Sequence, residues 1–338
     1  MREKNLGVDL LLRAFSASTI NFAIGYGSKG WANMEYCELG KTGMKVSILS
    51  YGASPLGGVF GDIREPEGIR TVHTALDLGI NYIDVAPYYG NTRAETVLGK
   101  ALKGVPRDSY YLATKVGRYG PGEYDYSAER TLRSIDESLK RLNVDYVDVL
   151  QCHDLEFTNP EQILNVTLPA VRKIREQDKA RFIGITGLPL TNFPAILDHT
   201  DDVDTILSFC HYSLNDTALL DLLPYLEEKG VGIINASPLS MGLLTQQGPP
   251  DWHPAPALVK QACADAADFC AEKGVDIAKL AIQFSLSNAR VHTTLVGTSK
   301  SEKIAKNVRW LEEPLDRDLL EDVLAILAPV HNVTWENT

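Results

Sequence analysis

Four side chains in the first half of the chain are of types that, brought together, move a proton at an alcohol or a carbonyl: Asp84, Tyr89, Lys115 and His153. Asp84 lies in the apolar run NYIDVA, Lys115 near the end of YYLATKV and His153 at the end of YVDVLQCH, while Tyr89 comes shortly after Asp84. Each alone has an ordinary structural use: a cap, a surface lysine, a core histidine. Lys115 is the informative one. A lysine at the end of a strand buried on both faces needs a counter-charge, because an unpaired buried ammonium is costly. Asp84, at equivalent height one strand over, can supply it. A lysine cation beside a phenol lowers the phenol pKa from about 10 toward the working range. Tyr89 can then act as a general base toward an alcohol or a general acid toward a carbonyl. His153 would orient the substrate oxygen. Such a proton-transfer site, with neither nucleophile nor metal, suits hydride transfer, in which a cofactor carries the hard step.

The runs that hold these residues belong to a longer series. From Val46 onward, short apolar stretches recur at VSILSYG (46–52), NYIDVA (81–86), YYLATKV (110–116), YVDVLQCH (146–153), RFIGITG (181–187), DTILSFCHY (204–212), VGIINASPL (231–239) and TTLVGTS (293–299). They are near-continuous instead of alternating, as expected of parallel strands covered on both faces. Amphipathic patterns lie between them: Gly68 to Leu78, Glu129 to Leu142 with Ser127 as N-cap, Glu161 to Lys179, Ala218 to Lys229 and Ser301 to Leu311. Gly79 and Gly230 stand where a glycine stops a helix. Eight such alternations predict an α/β fold, a closed (β/α)8 TIM barrel. An open doubly wound sheet would normally carry a glycine-rich fingerprint after its first strand, and the stretch from Gly52 to Gly58 (GASPLGG) does not match one. The proline-rich stretch Thr245 to Pro256 predicts a long loop after the seventh strand, carrying Trp252 and His253 as candidate substrate contacts. Two helices, Pro256–Lys273 and Ile277–Asn288, come after it, and Arg317 to Val330 adds another beyond the last strand.

Composition narrows the function classes. The 338 residues are 44% hydrophobic and 23% charged, as in an ordinary globular protein. The net charge of −11 argues against nucleic-acid phosphates and anionic membranes as partners. The chain has no apolar run long enough to span a bilayer. Its five cysteines are odd in number and form no CxxC, which fits a reducing, cytoplasmic compartment.

With these motifs in order, the chain resembles the aldo-keto reductase superfamily over about 35–338. The resemblance rests on Asp84 with Tyr89-Gly90, on Ala113-Thr114-Lys115, on His153, and on Ser237-Pro238-Leu239 with Gly242-Leu243-Leu244 shortly after. Longer strings, among them YGASPLGGVFG (51–61), CHDLEF (152–157), CHYSLNDTALLDLLPYL (210–226) and QGPPDWHPA (247–255), resemble the sugar dehydrogenases of that family. The resemblance implies Tyr89 as acid/base, Lys115 and Asp84 as its tuning pair, and His153 as the orienting group. It implies Thr186 and Gly187 near the carboxamide of a nicotinamide cofactor, and Ser237 and Leu239 near its pyrophosphate. Gly297, Thr298, Lys303 and Asn307 would surround the adenosine end. The implied reaction is oxidation of a small sugar, L-galactose, at C1 to its lactone, a step of ascorbate biosynthesis. Two positions depart from the pattern. Ala236 stands where many relatives stack a tyrosine on the nicotinamide, a role Phe209 could take. Gly297-Thr298 and Lys303 stand where NADP-using relatives often carry a Lys-Ser pair and an arginine, and the lost cation and lost guanidinium fork favour NAD. The alternatives are an NADP-linked reductase of aldehydes or pyridoxal, another aldose dehydrogenase, and a non-enzymatic channel-associated subunit. The complete set of four argues against the last.

Residues 1–33 differ from the rest of the chain: they are weakly basic and lack barrel periodicity. They read either as a weak transit peptide or as sequence ahead of a start at Met34, and are expected to be poorly ordered. The second reading fits better, because Met34 opens directly into the first patterned segment. A chain beginning at Met34 is therefore expected to fold and turn over normally. A large loss of activity or of melting temperature on truncation would contradict this.

Overall fold

The computed structural model describes residues 34–337, and the extension 1–33 lies outside them. Eight parallel strands form a closed barrel: β1 (Leu49–Gly52), β2 (Tyr82–Asp84), β3 (Tyr111–Val116), β4 (Val147–Cys152), β5 (Ala180–Gly187), β6 (Thr205–Phe209), β7 (Gly232–Ala236) and β8 (Thr293–Gly297). Each strand pairs with its neighbour in sequence, and β8 closes onto β1 with Gly297 beside Gly52. The architecture is the expected TIM barrel. Around it run α1 (Glu65–Asp77), α2 (Arg93–Leu102), α3 (Ala128–Leu142), α4 (Leu168–Glu176), α5 (Asn192–Leu197), α6 (Leu219–Lys229), α7 (Ala257–Glu272), α8 (Ile277–Leu286), α9 (Ser301–Arg309) and α10 (Arg317–Leu327). Among the described residues no helix is long and apolar enough to cross a membrane.

Local chemistry sets the boundaries. Ser127 caps α3 by accepting the Arg130 N–H at 3.2 Å, and Asn143 ends the helix in the left-handed region. Gly79 and Gly230 take positive φ at the ends of α1 and α6, freeing the chain to turn into β2 and β7. The single helix expected over 161–179 is present, continuous from Pro160 to Glu176 with a π-turn inside it. Its first turn, Pro160–Gln162, passes through the π-turn, Ile163–Thr167, into α4. There the backbone carbonyl of Tyr126 accepts from Gln162 Nε2 and from the Thr167 hydroxyl, and Pro169, which has no N–H to donate into the helix, follows two residues after the π-turn.

Two apolar layers hold the barrel. The larger lies between strands and helices. The smaller fills the barrel interior with Tyr82, Ala113, Val149, Leu207, Ile234 and Leu295, and packs against Leu39, Met44 and Val46. Those last three belong to an antiparallel hairpin, Tyr36–Glu38 with Lys45–Ser47, that plugs one end. The run 46–52 is thus shared between the hairpin and β1. Catalytic chemistry is left for the other end, where the carboxyl ends of the strands emerge.

The loops after β1 and β2 meet there backbone to backbone. A Cβ on Gly57 would lie 2.5 Å from the Tyr89 carbonyl oxygen, and one on Gly90 would lie 2.1 Å from the Gly57 carbonyl oxygen. Gly90 also has φ 61°. This contact fixes the backbone of Tyr89. Gly90→Ala should therefore cost about 2 kcal/mol or more in urea unfolding and misplace the phenol. Wild-type stability and turnover in that variant would contradict the reading.

Candidate active site

Three strand ends bring the charged side chains together. Asp84 closes β2 opposite Ala113, and Lys115 lies two residues further along β3, so the carboxylate and the ammonium converge inside the barrel mouth. They form a buried ion pair, with Lys115 only 1% exposed. Lys115 also donates to the Val85 carbonyl at 2.9 Å and to the Tyr89 hydroxyl at 3.2 Å. All three hydrogens of the ammonium are thereby used. Gln151, opposite Lys115 on β4, donates to the second Asp84 oxygen at 2.7 Å. His153, just past β4, stands edge-on to Tyr89, with ring centroids 5.7 Å apart and planes at 89°. The four residues singled out in sequence occupy one site.

The electrostatics differ from the simple expectation at Tyr89. Burial pushes the phenol up to about 12, and the Asp84 and Asp154 charges add to the rise, while Lys115 pulls it back only in part. Burial alone would lower the ammonium pKa, but Asp84 and Tyr89 outweigh it and raise the value. His153 goes the other way. Burial pushes it down to about 3, and the nearby Lys115 and Arg118 cations help, so the imidazole is neutral. Its Nδ1 is buried with no hydrogen-bond partner among the described residues.

A second buried pair supports the first. Arg118 donates to Asp154 at 2.7 Å and to the Tyr88 hydroxyl at 3.0 Å, and its guanidinium lies 3.8 Å from the Tyr88 ring centroid. Asp154 takes a left-handed conformation, and burial works against its charge, but the bonded Arg118 guanidinium holds its carboxyl below the usual range. Its N–H donates to Thr186 Oγ1 at 2.9 Å, and the Thr186 hydroxyl donates back to its carboxylate at 3.2 Å. Tyr126 clamps the same turn by donating to the His153 and Asp154 carbonyls at 2.6 and 2.9 Å. Sequence reasoning misses Arg118, although it lies just beyond the YYLATKV strand and its partner Asp154 sits directly after His153.

The residues assigned to a cofactor lie at the ends of β5, β7 and β8 and on α9. Thr186 and Gly187 end β5, and Ser237 and Leu239 come just after β7. Gly297 ends β8 exposed, Thr298 is buried beside it, and Lys303 and Asn307 lie on α9. Ser237, Ser240, Met241 and Gly242 all take positive φ. The N–H groups of this turn are bonded within it, Ser240 to the Ser237 carbonyl at 2.8 Å and Gly242 to the Leu239 carbonyl at 3.0 Å, so the turn holds its own shape. A Cβ on Gly297 would come within 3.1 Å of the Gly52 carbonyl and of Pro55, so glycine lets the loop after β1 pack closely against the end of β8. These positions fit a dinucleotide laid across the strand ends. The candidate substrate residues sit on the rim. Trp252 is 49% exposed and pairs with Phe60 at 5.7 Å, linking the loops after β7 and β1. His253 is buried, and both its ring nitrogens are engaged, with the Ser240 carbonyl at 3.1 Å and the Ala255 N–H at 3.1 Å. The C-terminal tail joins the rim: Trp335 meets His253 at 5.1 Å, and Asn337 donates to Glu156 at 2.7 Å.

Comparison with known proteins agrees with this geometry. The model of the Aldo/keto reductase family matches residues 48–328. The chain is 53% identical to the L-galactose dehydrogenase of Arabidopsis thaliana, over 89% of this chain and 97% of that one. It is 33% identical to the D-arabinose 1-dehydrogenase of Saccharomyces cerevisiae, over 72% and 76% of the two chains. Among solved structures, an aldo-keto reductase from Bacillus halodurans in its holo form superposes with a TM-score of 0.74 at 26% identity, covering 90% of this chain and 99% of that one. The chain belongs to the aldo/keto reductase family, and it is an oxidoreductase of that family.

Glu156, in the turn after β4, carries a pH dependence. Burial, with the Asp154 charge beside it, pushes its carboxyl up to about 7 from an ordinary value of 4.5. The folded protein therefore holds a proton that the unfolded chain releases. That stabilisation is full below the unfolded value and is lost as pH rises through 7. The melting temperature of Glu156→Gln, relative to wild type, should accordingly climb between about pH 5 and about pH 8. A difference that stays flat or falls across that window would contradict the assignment.

Proposed function

We propose that this chain is an NAD-linked aldose 1-dehydrogenase that oxidises L-galactose to its lactone. The observation that carries the proposal is the buried line Asp84–Lys115–Tyr89 beside a neutral His153, in a chain 53% identical to an L-galactose dehydrogenase. When bound, the cofactor supplies the hydride acceptor and a positive charge next to the phenol. His153 presents a neutral ring nitrogen to the C1 oxygen and holds it near the Tyr89 hydroxyl. Tyr89 takes the proton from the anomeric hydroxyl as the C1 hydrogen departs with its electron pair. Lys115, fixed by Asp84, stabilises the phenolate at that moment. The ring oxygen of the sugar stabilises the carbonyl character growing at C1, so the product is a lactone and needs no separate acid. Since burial holds the phenol high, oxidation should quicken as pH rises. Trp252, exposed on the rim, offers an indole face to a sugar ring. NAD is favoured because Gly297 brings no charge and Lys303 brings only one.

Steady-state kinetics with a panel of sugars and both cofactors test this directly. L-Galactose with NAD should give the highest kcat/KM. Tyr89→Phe should lower kcat by about 10²–10⁴-fold, the usual range for lost acid–base assistance, while NAD affinity stays nearly unchanged. Near-normal turnover by Tyr89→Phe would show that the base is misassigned. Far better turnover of D-sugars or free aldehydes would overturn the substrate, and equal efficiency with NADP the cofactor.

A further inference from the structure

The helix α9 begins where the adenosine end of the cofactor is assigned, and its first turn is already occupied by an anion. Lys300, at its N-cap position, makes no side-chain cap bond. Instead Glu67, reaching across from α1, accepts both the Ser301 N–H at 3.0 Å and the Ser301 hydroxyl at 2.9 Å on the same oxygen. Its other oxygen is held by Arg70, whose Nε donates at 3.0 Å. The two Ser301 bonds, with Arg70 added, hold the carboxyl down to about 2, so the group is charged at any working pH.

A free N–H at the start of a helix attracts anions through the helix dipole and through its own hydrogen bond. Here that donor is taken by a carboxylate. A phosphate arriving beside it would lose the donor and meet a like charge at short range. The cations nearby offset this only in part. Arg70 is already paired with Glu67, and Lys300 and Lys303 are exposed and face solvent, while Glu302 adds another negative charge to the same turn. A ribose hydroxyl carries no charge and would not suffer the same penalty. Gly297 and Lys303 therefore explain only weak attraction for a phosphate, whereas Glu67 explains its rejection.

We propose that Glu67 is the specificity-determining residue that excludes a 2′-phosphate at the adenosine ribose and so selects NAD over NADP. The assignment rests on the cofactor reading given above. Calorimetry on the full chain with adenosine 5′-monophosphate and with 2′,5′-ADP, which differ only by the 2′-phosphate, isolates the effect from the chemistry at the nicotinamide. The wild-type protein should bind 2′,5′-ADP at least about tenfold more weakly than the monophosphate, and added salt should narrow the gap by screening. Glu67→Gln keeps an amide oxygen for Ser301 and should preserve the melting temperature. It should narrow the gap by about tenfold, remove most of its salt dependence, and raise kcat/KM for NADP by a similar factor. An unchanged ratio in a well-folded Glu67→Gln protein would overturn the proposal while leaving NAD preference standing. Equal binding of both nucleotides by the wild type would overturn the cofactor reading itself. Should Glu67→Gln melt early, Glu67→Ser gives the same comparison with a smaller neutral side chain.

Discussion

An ammonium group buried inside a closed barrel constrains what surrounds it. Lys115 lies almost wholly out of water, and a lone cation there would cost several kcal/mol. Asp84 neutralises it, Val85 and Tyr89 absorb its remaining hydrogens, and Gln151 satisfies the second carboxylate oxygen. Removing one partner from such a pair typically costs about 3–5 kcal/mol, because the other is left charged and dry. Such pairs seldom add net stability over an apolar core. This one holds a charge at hydrogen-bond distance from a phenol.

The barrel makes that arrangement possible. Adjacent parallel strands in fixed register set Asp84 and Lys115 at neighbouring heights, and the apolar layer beneath them, closed by the N-terminal hairpin, keeps water out from below. Around the mouth the ionisable groups are pushed in opposite directions. His153 is kept neutral, Asp154 is kept charged with the help of Arg118, and Tyr89 is held protonated by its burial. Groups with divergent titration in one cleft are what acid–base chemistry near neutrality requires.

Much of this can be read from the residues. Strands covered on both faces leave long apolar runs, and Lys115 stands out because its position makes no sense without a counter-charge. Other features leave weaker traces. The run 46–52 is continuous in sequence, so the break at Ile48 between hairpin and β1 carries no hydrophobic signature. The π-turn at 163–167 has its trace in Pro169, a residue that cannot donate into the helix, and not in the amphipathic pattern. Helix α2 is missing from the elements expected on sequence, although Val97, Leu98, Ala101 and Leu102 make its buried face. Arg118 and Glu67 look like surface charges in sequence, and only the fold brings Asp154 and Ser301 to them. The phenol pKa departs from expectation for a related reason. The sequence supplies the lysine that lowers the phenol, but not the depth of burial that outweighs it, with Asp84 adding to the rise.

The central claim is that the Lys115 charge, fixed by Asp84, acts on Tyr89. Labelling tyrosine at Cζ with carbon-13 and following the Tyr89 resonance by NMR across alkaline pH reads that coupling directly. In the wild-type protein the resonance should titrate near 12. In Lys115→Met it should move higher, because burial remains and the cation bonded to the phenol is gone. A Tyr89 titration that is unchanged or lowered in Lys115→Met would contradict the account.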